Sequence, residues 1–252
     1  MSAVAIASIV FACLFAGALL GMFLRAVLPE HHLNTDTKDA VKVAMALVAT
    51  MGALVLSLLI STAKSAYDTR SSEFVQMSAD IVLLDRVLSR YGAEAKDARS
   101  LLRRSVAASI ERFWPTTGAR PAGFDPTAAS PVEALYDRIE ELPAQTESQR
   151  SLQVQALNLT MNLGHTRFLL YEQAGSSVPL PFLVVLVFWL AVIFASFGLF
   201  APGNATVTTA FLVCALSVSG AIFLILELDR SFEGMIQVSS TPLRQALARL
   251  GQ

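Results

Sequence analysis

The chain has 252 residues, of which 54% are hydrophobic and only 15% are charged, and its formal net charge is −1. Soluble domains usually carry about 25% charged residues, so an ordinary soluble composition is excluded. The near balance of basic and acidic side chains also excludes a strongly basic nucleic-acid-binding protein, and we expect no nucleic-acid partner.

Four apolar windows are each long enough to cross a bilayer, which takes about 20 residues of helix. They are Ala3–Leu24, Val43–Ala63, Leu180–Phe200 and Val207–Leu228, and the one charged residue inside them is Glu227. The sequence therefore predicts an all-α integral membrane protein with four transmembrane helices. A helical cytoplasmic insert lies between the second and third spans, and the lipid bilayer is the expected partner of the spans.

This pattern divides the chain into four predicted regions. They are residues 1–63 (first transmembrane helix pair), 64–178 (helical cytoplasmic insert), 179–228 (second transmembrane helix pair) and 229–252 (cytoplasmic tail with a short amphipathic helix).

The first window lacks the basic start of a secretory signal, so we expect it to be retained as a span. Cys13, and Cys214 in the fourth window, are interpreted as small packing residues. Where the first span ends, His31 and His32 are candidate metal ligands or proton sensors. A polar loop at the membrane interface is the simpler interpretation, and we expect no cofactor.

Span two has a face of small residues at steps of four. This face consists of Ala49, Ala53, Ser57 and Ser61. Small residues at such a spacing let helices approach closely. One interpretation is that the face packs against Cys13, Gly17 and Gly21 of span one. The alternative is that it lines a central pore in an oligomer, where the serines contact water.

Span two continues without a breaker into the insert, where an apolar stripe ends at Gly92. The stripe consists of Tyr67, Phe74, Met77, Ile81, Leu84, Leu88 and Tyr91. A second helix, about Glu94–Trp114, has an apolar face and a basic face. The basic face consists of Lys96, Arg99, Arg103, Arg104 and Arg112. It is interpreted as a solvated surface, or alternatively as an attractor of anions or acidic headgroups.

The rest of the chain is predicted to be helical outside a proline-rich loop at Pro115–Pro131. Further helices are expected at Pro131–Leu142 and about Thr146–Gln173. In the tail, Thr241 and Pro242 are predicted as the N-cap and first residue of a helix. This helix turns Leu243, Leu247 and Leu250 inward and packs back on the insert.

Charges near the spans predict the orientation. Basic residues near span ends are Arg25, Lys38 and Lys42 on one side, and Lys64, Arg70, Arg167, Arg230 and Arg244 on the other. Because basic residues favour the cytoplasm, both termini and the insert are expected there, in a bacterial inner membrane. Glu227, Asp229 and Arg230 are interpreted as anchors at the membrane interface. Two alternatives stay open: Asp229 and Arg230 pair with residues of the insert, or they face the mouth of a pore.

The sequence contains no G-x-S-x-G, H-E-x-x-H, phosphate-binding glycine loop or C-x-x-C motif, so we expect no enzymatic activity. No ionisable group lies deep in a span, and no span is broken midway by proline. Proton relays and secondary transporters usually show such features. Proton-coupled transport is therefore disfavoured.

Four segments spread over nearly the whole chain carry a family resemblance. They are LPEHHL (Leu28–Leu33), AKSAYDTRSSE (Ala63–Glu73), LLDRVLSRYG (Leu83–Gly92) and LELDRSFEGMIQVSSTPLRQAL (Leu226–Leu247). Together they resemble the bestrophin-like domain family of bacterial membrane proteins. That family usually has a proline in the tail where this chain has Ser231.

The resemblance implies kinship to bestrophins, which are pentameric ion channels with four-span subunits and a helical cytoplasmic part. It therefore implies a homo-oligomer and ions as possible cargo. The chain lacks an acidic cluster like the calcium clasp of animal bestrophins, so calcium gating is not implied. Span two also lacks the regular aromatic residues of the bestrophin neck.

Two hypotheses follow. The leading one is an oligomeric channel whose pore is lined by Ala49, Ala53, Ser57 and Ser61. The alternative is a non-conducting membrane scaffold or signalling protein, whose stripe Tyr67–Tyr91 and end helix bind a protein partner.

Overall fold

The computed structural model describes residues 2–28, 35–115, 131–173, 179–229 and 235–251. Within these ranges every regular element is helical, and no strand is present. In chain order the helices are α1 (Ala3–Val27), α2 (Thr35–Tyr91), α3 (Lys96–Phe113), α4 (Pro131–Glu140), α5 (Glu147–Glu172), α6 (Leu180–Phe200), α7 (Ala205–Asp229) and α8 (Thr241–Arg249), with a 3-10 turn at Ala93–Ala95.

The chain folds into two compact units. Unit 1 comprises Met1–Ala66 and Ser177–Asp229, and unit 2 comprises Tyr67–Ser176 and Arg230–Gln252. Helix α2 contributes its first part to unit 1 and its remaining part to unit 2.

The four helices α1, α2, α6 and α7 are each long and apolar enough to cross a membrane. Each of the four predicted windows lies within one of them, so the prediction of four apolar helices is confirmed. Helix α2 has 57 residues and is about 85 Å long at 1.5 Å per residue. A hydrocarbon core is about 30 Å thick, so only the apolar window Val43–Ala63 fits within it. Residues 64–91 carry eight charged side chains and lie outside that window.

Unit 1 is held together by close contact of α1 with α6. A Cβ on Gly21 would overlap the carbonyl oxygen of Ala195, and a Cβ on Gly198 would overlap that of Ala18. A Cβ on Gly17 would lie 3.0 Å from the carbonyl oxygen of Ala191. Because glycine has no side chain, the two backbones approach to a distance that no other residue allows.

Helix α2 joins unit 1 through a narrow apolar strip. Leu59 and Ala63 are buried in a cluster with Leu186 of α6 and Ile225 of α7. Gly52 is also buried, and a Cβ there would meet only the Leu186 side chain, at 3.9 Å. The contact of α2 with its neighbours is therefore made by side chains and leaves most of the helix circumference exposed.

Unit 2 has a conventional hydrophobic core. The predicted stripe on α2 lies inside it, with Phe74, Ile81, Leu84, Leu88 and Tyr91 buried, and Tyr67 and Met77 packed against it. The core is completed by side chains from the other elements: Ala98, Leu102, Val106, Ile110, Leu135, Ile139, Ala156, Leu163, Leu170, Val238, Leu243, Ala246 and Leu250. The predicted amphipathic patterns of α2, α3 and α8 are thus confirmed as core-facing.

The helix ends of unit 2 follow local sequence signals. Gly92 ends α2 with φ at 128°, a value that favours glycine. Thr146 and Gln149 form a capping box at the start of α5. One prediction is wrong: α8 begins at Thr241 and its N-cap is Ser240. The Ser239 hydroxyl accepts the Thr241 N–H at 3.2 Å, so the serine run, not Thr241, provides the acceptor.

Hydrogen bonds as well as buried side chains fix the tail to the rest of unit 2. The Tyr67 hydroxyl donates to the Gln237 carbonyl oxygen (3.3 Å), and the Trp114 indole N–H donates to that of Val238 (2.9 Å). The Gly251 N–H donates to the Asp85 carboxylate at 3.2 Å. The predicted packing of the tail helix against the preceding helices is therefore confirmed.

Asp85 is the buried charge at the centre of this anchoring. Its carboxylate accepts two hydrogen bonds from the Arg99 guanidinium, at 2.8 and 2.9 Å. Burial raises the pKa of Asp85, but the bonds from Arg99 and Gly251 and the charge of Arg99 outweigh it, so the net pKa is lowered. Arg99 is therefore an internal ion-pair partner, and the prediction of a wholly solvated basic face on α3 is wrong at this position.

Candidate functional site

The small-residue face of α2 is the candidate site, and the structure leaves it largely uncovered. Ala53, Ser57 and Ser61 are exposed in the single chain, and Ala49 is half-buried. The four residues share one face of the same helix. They lie next to the apolar strip by which α2 joins α6 and α7, and none of them belongs to it.

The two serine hydroxyls of this face lack the bond to their own helix backbone that several other hydroxyl groups of the apolar helices make. The Thr50 hydroxyl donates to the Ala46 carbonyl oxygen at 2.8 Å, and that of Thr62 to Leu58 at 2.9 Å. The Ser217 hydroxyl of α7 likewise donates to the Val213 carbonyl oxygen, at 2.8 Å. Within the described residues, the hydroxyls of Ser57 and Ser61 make no hydrogen bond. These two groups are therefore available to water or to another polar partner.

The proposed intrachain partner of this face is wrong. Gly17 and Gly21 of α1 contact Ala191 and Ala195 of α6, and Cys13 is exposed. Small residues at helical spacing indicate close approach but not the identity of the neighbour. Gly198 of α6 lies in the same contact between α1 and α6, and it was not identified from the sequence. A glycine within an apolar helix is the feature that could have indicated this close contact.

The two acidic residues at the end of α7 are buried, and their interpretation as interfacial anchors stays a prediction. Glu227 and Asp229 are 5% and 6% exposed, and each of them takes part in an interaction. Arg230, the third residue of this group, lies outside the described residues. Burying two carboxylates costs free energy unless each has a partner. The last turn of α7 is therefore a buried polar region of unit 1, which the hydropathy of the helix does not indicate.

The surfaces suggested for partner binding in unit 2 are occupied internally. The stripe Tyr67–Tyr91 and the inward face of α8 belong to the core of unit 2. Of the basic residues on α3, Lys96, Arg103 and Arg104 are exposed and Arg112 is half-buried. An apolar surface remains on α5, where Val154, Met161 and Phe168 follow one another at steps of seven and are each more than half exposed.

The predicted metal ligands are not placed by the structure, because His31 and His32 lie outside the described residues. In the ranges that are described, no three histidine, cysteine, aspartate or glutamate side chains come together as a metal site would require.

Comparison with known proteins identifies the family. The profile of the Bestrophin-like domain matches residues 12–243, which is most of the chain. Neither a curated protein nor a solved structure matches it. The match covers part of α1, all of α2, α6 and α7, and most of unit 2, so the chain belongs to the bestrophin-like domain family.

Proposed function

We propose that the protein is an oligomeric ion channel of the membrane, with a pore lined by Ala49, Ala53, Ser57 and Ser61 of α2. The observation that carries this proposal is the exposed face of α2, on which two serine hydroxyls lack a hydrogen bond within the described residues. A serine facing lipid is commonly satisfied by its own helix, as Thr50 and Thr62 are. Contact with water in a pore satisfies Ser57 and Ser61 instead.

The surrounding residues support a narrow, uncharged pore. The lining candidates are small, and no charged residue lies between Val43 and Ala63. Apolar constrictions in channels gate by excluding water. The family is known for channels rather than enzymes, which agrees with the absence of catalytic motifs in the sequence.

An oligomer is required because one chain cannot enclose a pore with a single helix face. The resemblance to bestrophins suggests a pentamer. The exposed stripe on α5, which consists of Val154, Met161 and Phe168, is the kind of surface that subunits bury between them. A closed ring uses two different surfaces of each subunit, so that each copy contacts its neighbour in the same way.

Flux measurements test the pore. Purified protein in liposomes should conduct ions, and Ser57→Trp should reduce the flux at least tenfold because the indole fills the lumen. Ser217→Trp is the matched control, since Ser217 is an exposed serine on α7, and its flux should stay near wild type. Absence of flux in the wild type, or equal flux in both variants and wild type, overturns the pore.

Cross-linking and mass measurement test the assembly. We expect a closed ring of subunits, and Phe168→Asp should weaken it by placing a charge in the buried contact. His165→Asp, at another exposed position of α5, controls for charge alone and should affect assembly less. A wild-type monomer or dimer contradicts the channel and favours the non-conducting scaffold.

We also propose that the protein resides in the bacterial inner membrane with its termini and residues 64–178 in the cytoplasm. The greater number of basic residues near that side supports this orientation. Green fluorescent protein fused after Gln252 should then fluoresce, and alkaline phosphatase at the same position should be inactive. The opposite result reverses the orientation.

A further inference from the structure

Unit 2 contains a cavity that neither the family nor the proposed pore explains. It has a volume of about 150 Å³ and lies between α2, α3, α4, α5 and α8. Most of its wall is apolar, with Phe74, Leu135 and Leu163 among the lining side chains. Apolar cavities of about this volume bind benzene. The cavity therefore has room for an apolar group of about six to eight carbons.

One side of this cavity is polar and positively charged. Ser105, Ser109, Arg112 and Arg167 line it, and no acidic side chain is among its described lining residues. The Ser109 hydroxyl donates to the Ser105 carbonyl oxygen at 2.8 Å. In the described part of the chain, Arg112 makes no hydrogen bond or ion pair, although it is half-buried. Its environment favours an anion, because a guanidinium forms strong paired hydrogen bonds with a carboxylate.

We propose that this cavity binds a small monocarboxylate with a compact apolar body. An aromatic acid of the size of benzoate, or an aliphatic acid of about eight carbons, matches the volume. The apolar body lies among the core side chains, and the carboxylate pairs with Arg112. Arg167 also lines this side of the cavity. This inference is independent of the channel activity, since it concerns unit 2 alone.

The binding is measured with 4-(trifluoromethyl)benzoate by fluorine NMR, using the full chain in nanodiscs. We expect saturable line broadening that empty nanodiscs do not cause. Octanoate should displace the probe, whereas benzyl alcohol, which lacks the carboxylate, should need at least a tenfold higher concentration. No saturable broadening, or equal displacement by the alcohol and the acid, overturns the proposal.

Variants locate the site. Arg112→Gln should weaken binding at least tenfold, and Arg104→Gln, at an exposed position on the same helix, should leave it unchanged. Ala108→Trp should also weaken binding, since Ala108 lines the cavity but is exposed, so that the larger side chain narrows the entrance without disturbing the core. Unchanged binding in both Arg112→Gln and Ala108→Trp shows that the probe binds elsewhere, and the cavity site is then wrong.

Discussion

The two parts of α2 expose different kinds of residue. In the apolar window Leu59 is buried, but Leu54 and Leu58 are more than half exposed while the small residues Gly52 and Ala63 are buried. In unit 2, Leu84 is fully buried and the exposed positions are mostly polar or charged. A single continuous helix therefore reverses its pattern of burial along its length.

The reversal reflects the two surroundings. Water drives apolar side chains together, so in unit 2 burial follows hydrophobicity. Lipid is as apolar as leucine and gives no such drive, so small residues and close packing decide which face is buried in a membrane. Hydropathy therefore predicts the core of unit 2 but not the neighbours of the apolar helices.

The sharpest test compares the two leucines. Leu84→Ala should lower the free energy of unfolding of unit 2 by about 2–5 kcal/mol, because it leaves a cavity in the core. Leu54→Ala should change stability by less than about 0.5 kcal/mol. Urea unfolding in nanodiscs measures both, with Trp114 fluorescence in a Trp189→Phe background for Leu84→Ala and Trp189 fluorescence in a Trp114→Phe background for Leu54→Ala. Equal losses in the two variants would refute the reversal.

The buried ion pair gives the next largest effect. Asp85→Asn should destabilise unit 2 by about 1.5–3 kcal/mol, because Arg99 and the Gly251 N–H lose a charged acceptor. Asp97→Asn is the control, since its pair with Arg138 is exposed, and it should cost at most about 1 kcal/mol.

The same pair predicts a pH dependence. Folding lowers the pKa of Asp85, so its contribution to stability is present above the unfolded pKa of about 3.9 and is lost as the pH falls through the folded pKa. The stability difference between wild type and Asp85→Asn should therefore shrink below about pH 4. A difference that stays constant into the acid range contradicts the ion pair as its source.

The close contact between α1 and α6 tests whether small residues, and not hydrophobicity, decide the packing of helices in lipid. Gly21→Ala should destabilise unit 1 by about 1–3 kcal/mol, because the added methyl group forces two backbones apart. Gly220→Ala is a matched helical glycine with no atom within 4 Å of an added Cβ, so it should be neutral or slightly stabilising. Denaturation in detergent, monitored by Trp189 fluorescence, distinguishes them; similar losses would argue against the close contact.

The smallest effect concerns a buried hydroxyl. The Tyr91 hydroxyl is buried without a hydrogen-bond partner among the described residues, and burial and the charge of Glu94 raise the pKa of Tyr91. Tyr91→Phe removes this unsatisfied group and should stabilise unit 2 by up to about 1 kcal/mol. A clear loss of stability in the same urea assay would show that the hydroxyl has a partner.

Much of the fold could be predicted because its signals are local. Gly92, Pro131 and Thr146 mark helix ends through their own backbone or side-chain chemistry, and the stripe on α2 has a clear period. The start of α8 was displaced by one residue because several neighbouring hydroxyl residues can serve as acceptors.

The remaining errors arise from tertiary contacts. Whether Gly17 and Gly21 face α2 or α6 depends on helix arrangement, which spacing does not encode. The pairing of Arg99 with Asp85 joins two helices, and Arg99 looks like any other residue of a basic face in the sequence. The candidate pore face could be predicted from its small residues. Only the structure shows that the hydroxyls of Ser57 and Ser61 lack the backbone hydrogen bond that Thr50 and Thr62 make.

The anchoring of the tail has a consequence for synthesis of the chain. Val238, Leu243 and Leu250 complete the core of unit 2, yet they are translated after α6 and α7. The helices around Leu84 must therefore wait, with part of their apolar surface uncovered, while two more apolar helices leave the ribosome and enter the membrane. Unit 2 therefore completes its folding last, although most of its residues are translated before α6 and α7. We expect the yield of folded protein to depend on chaperone protection during this interval.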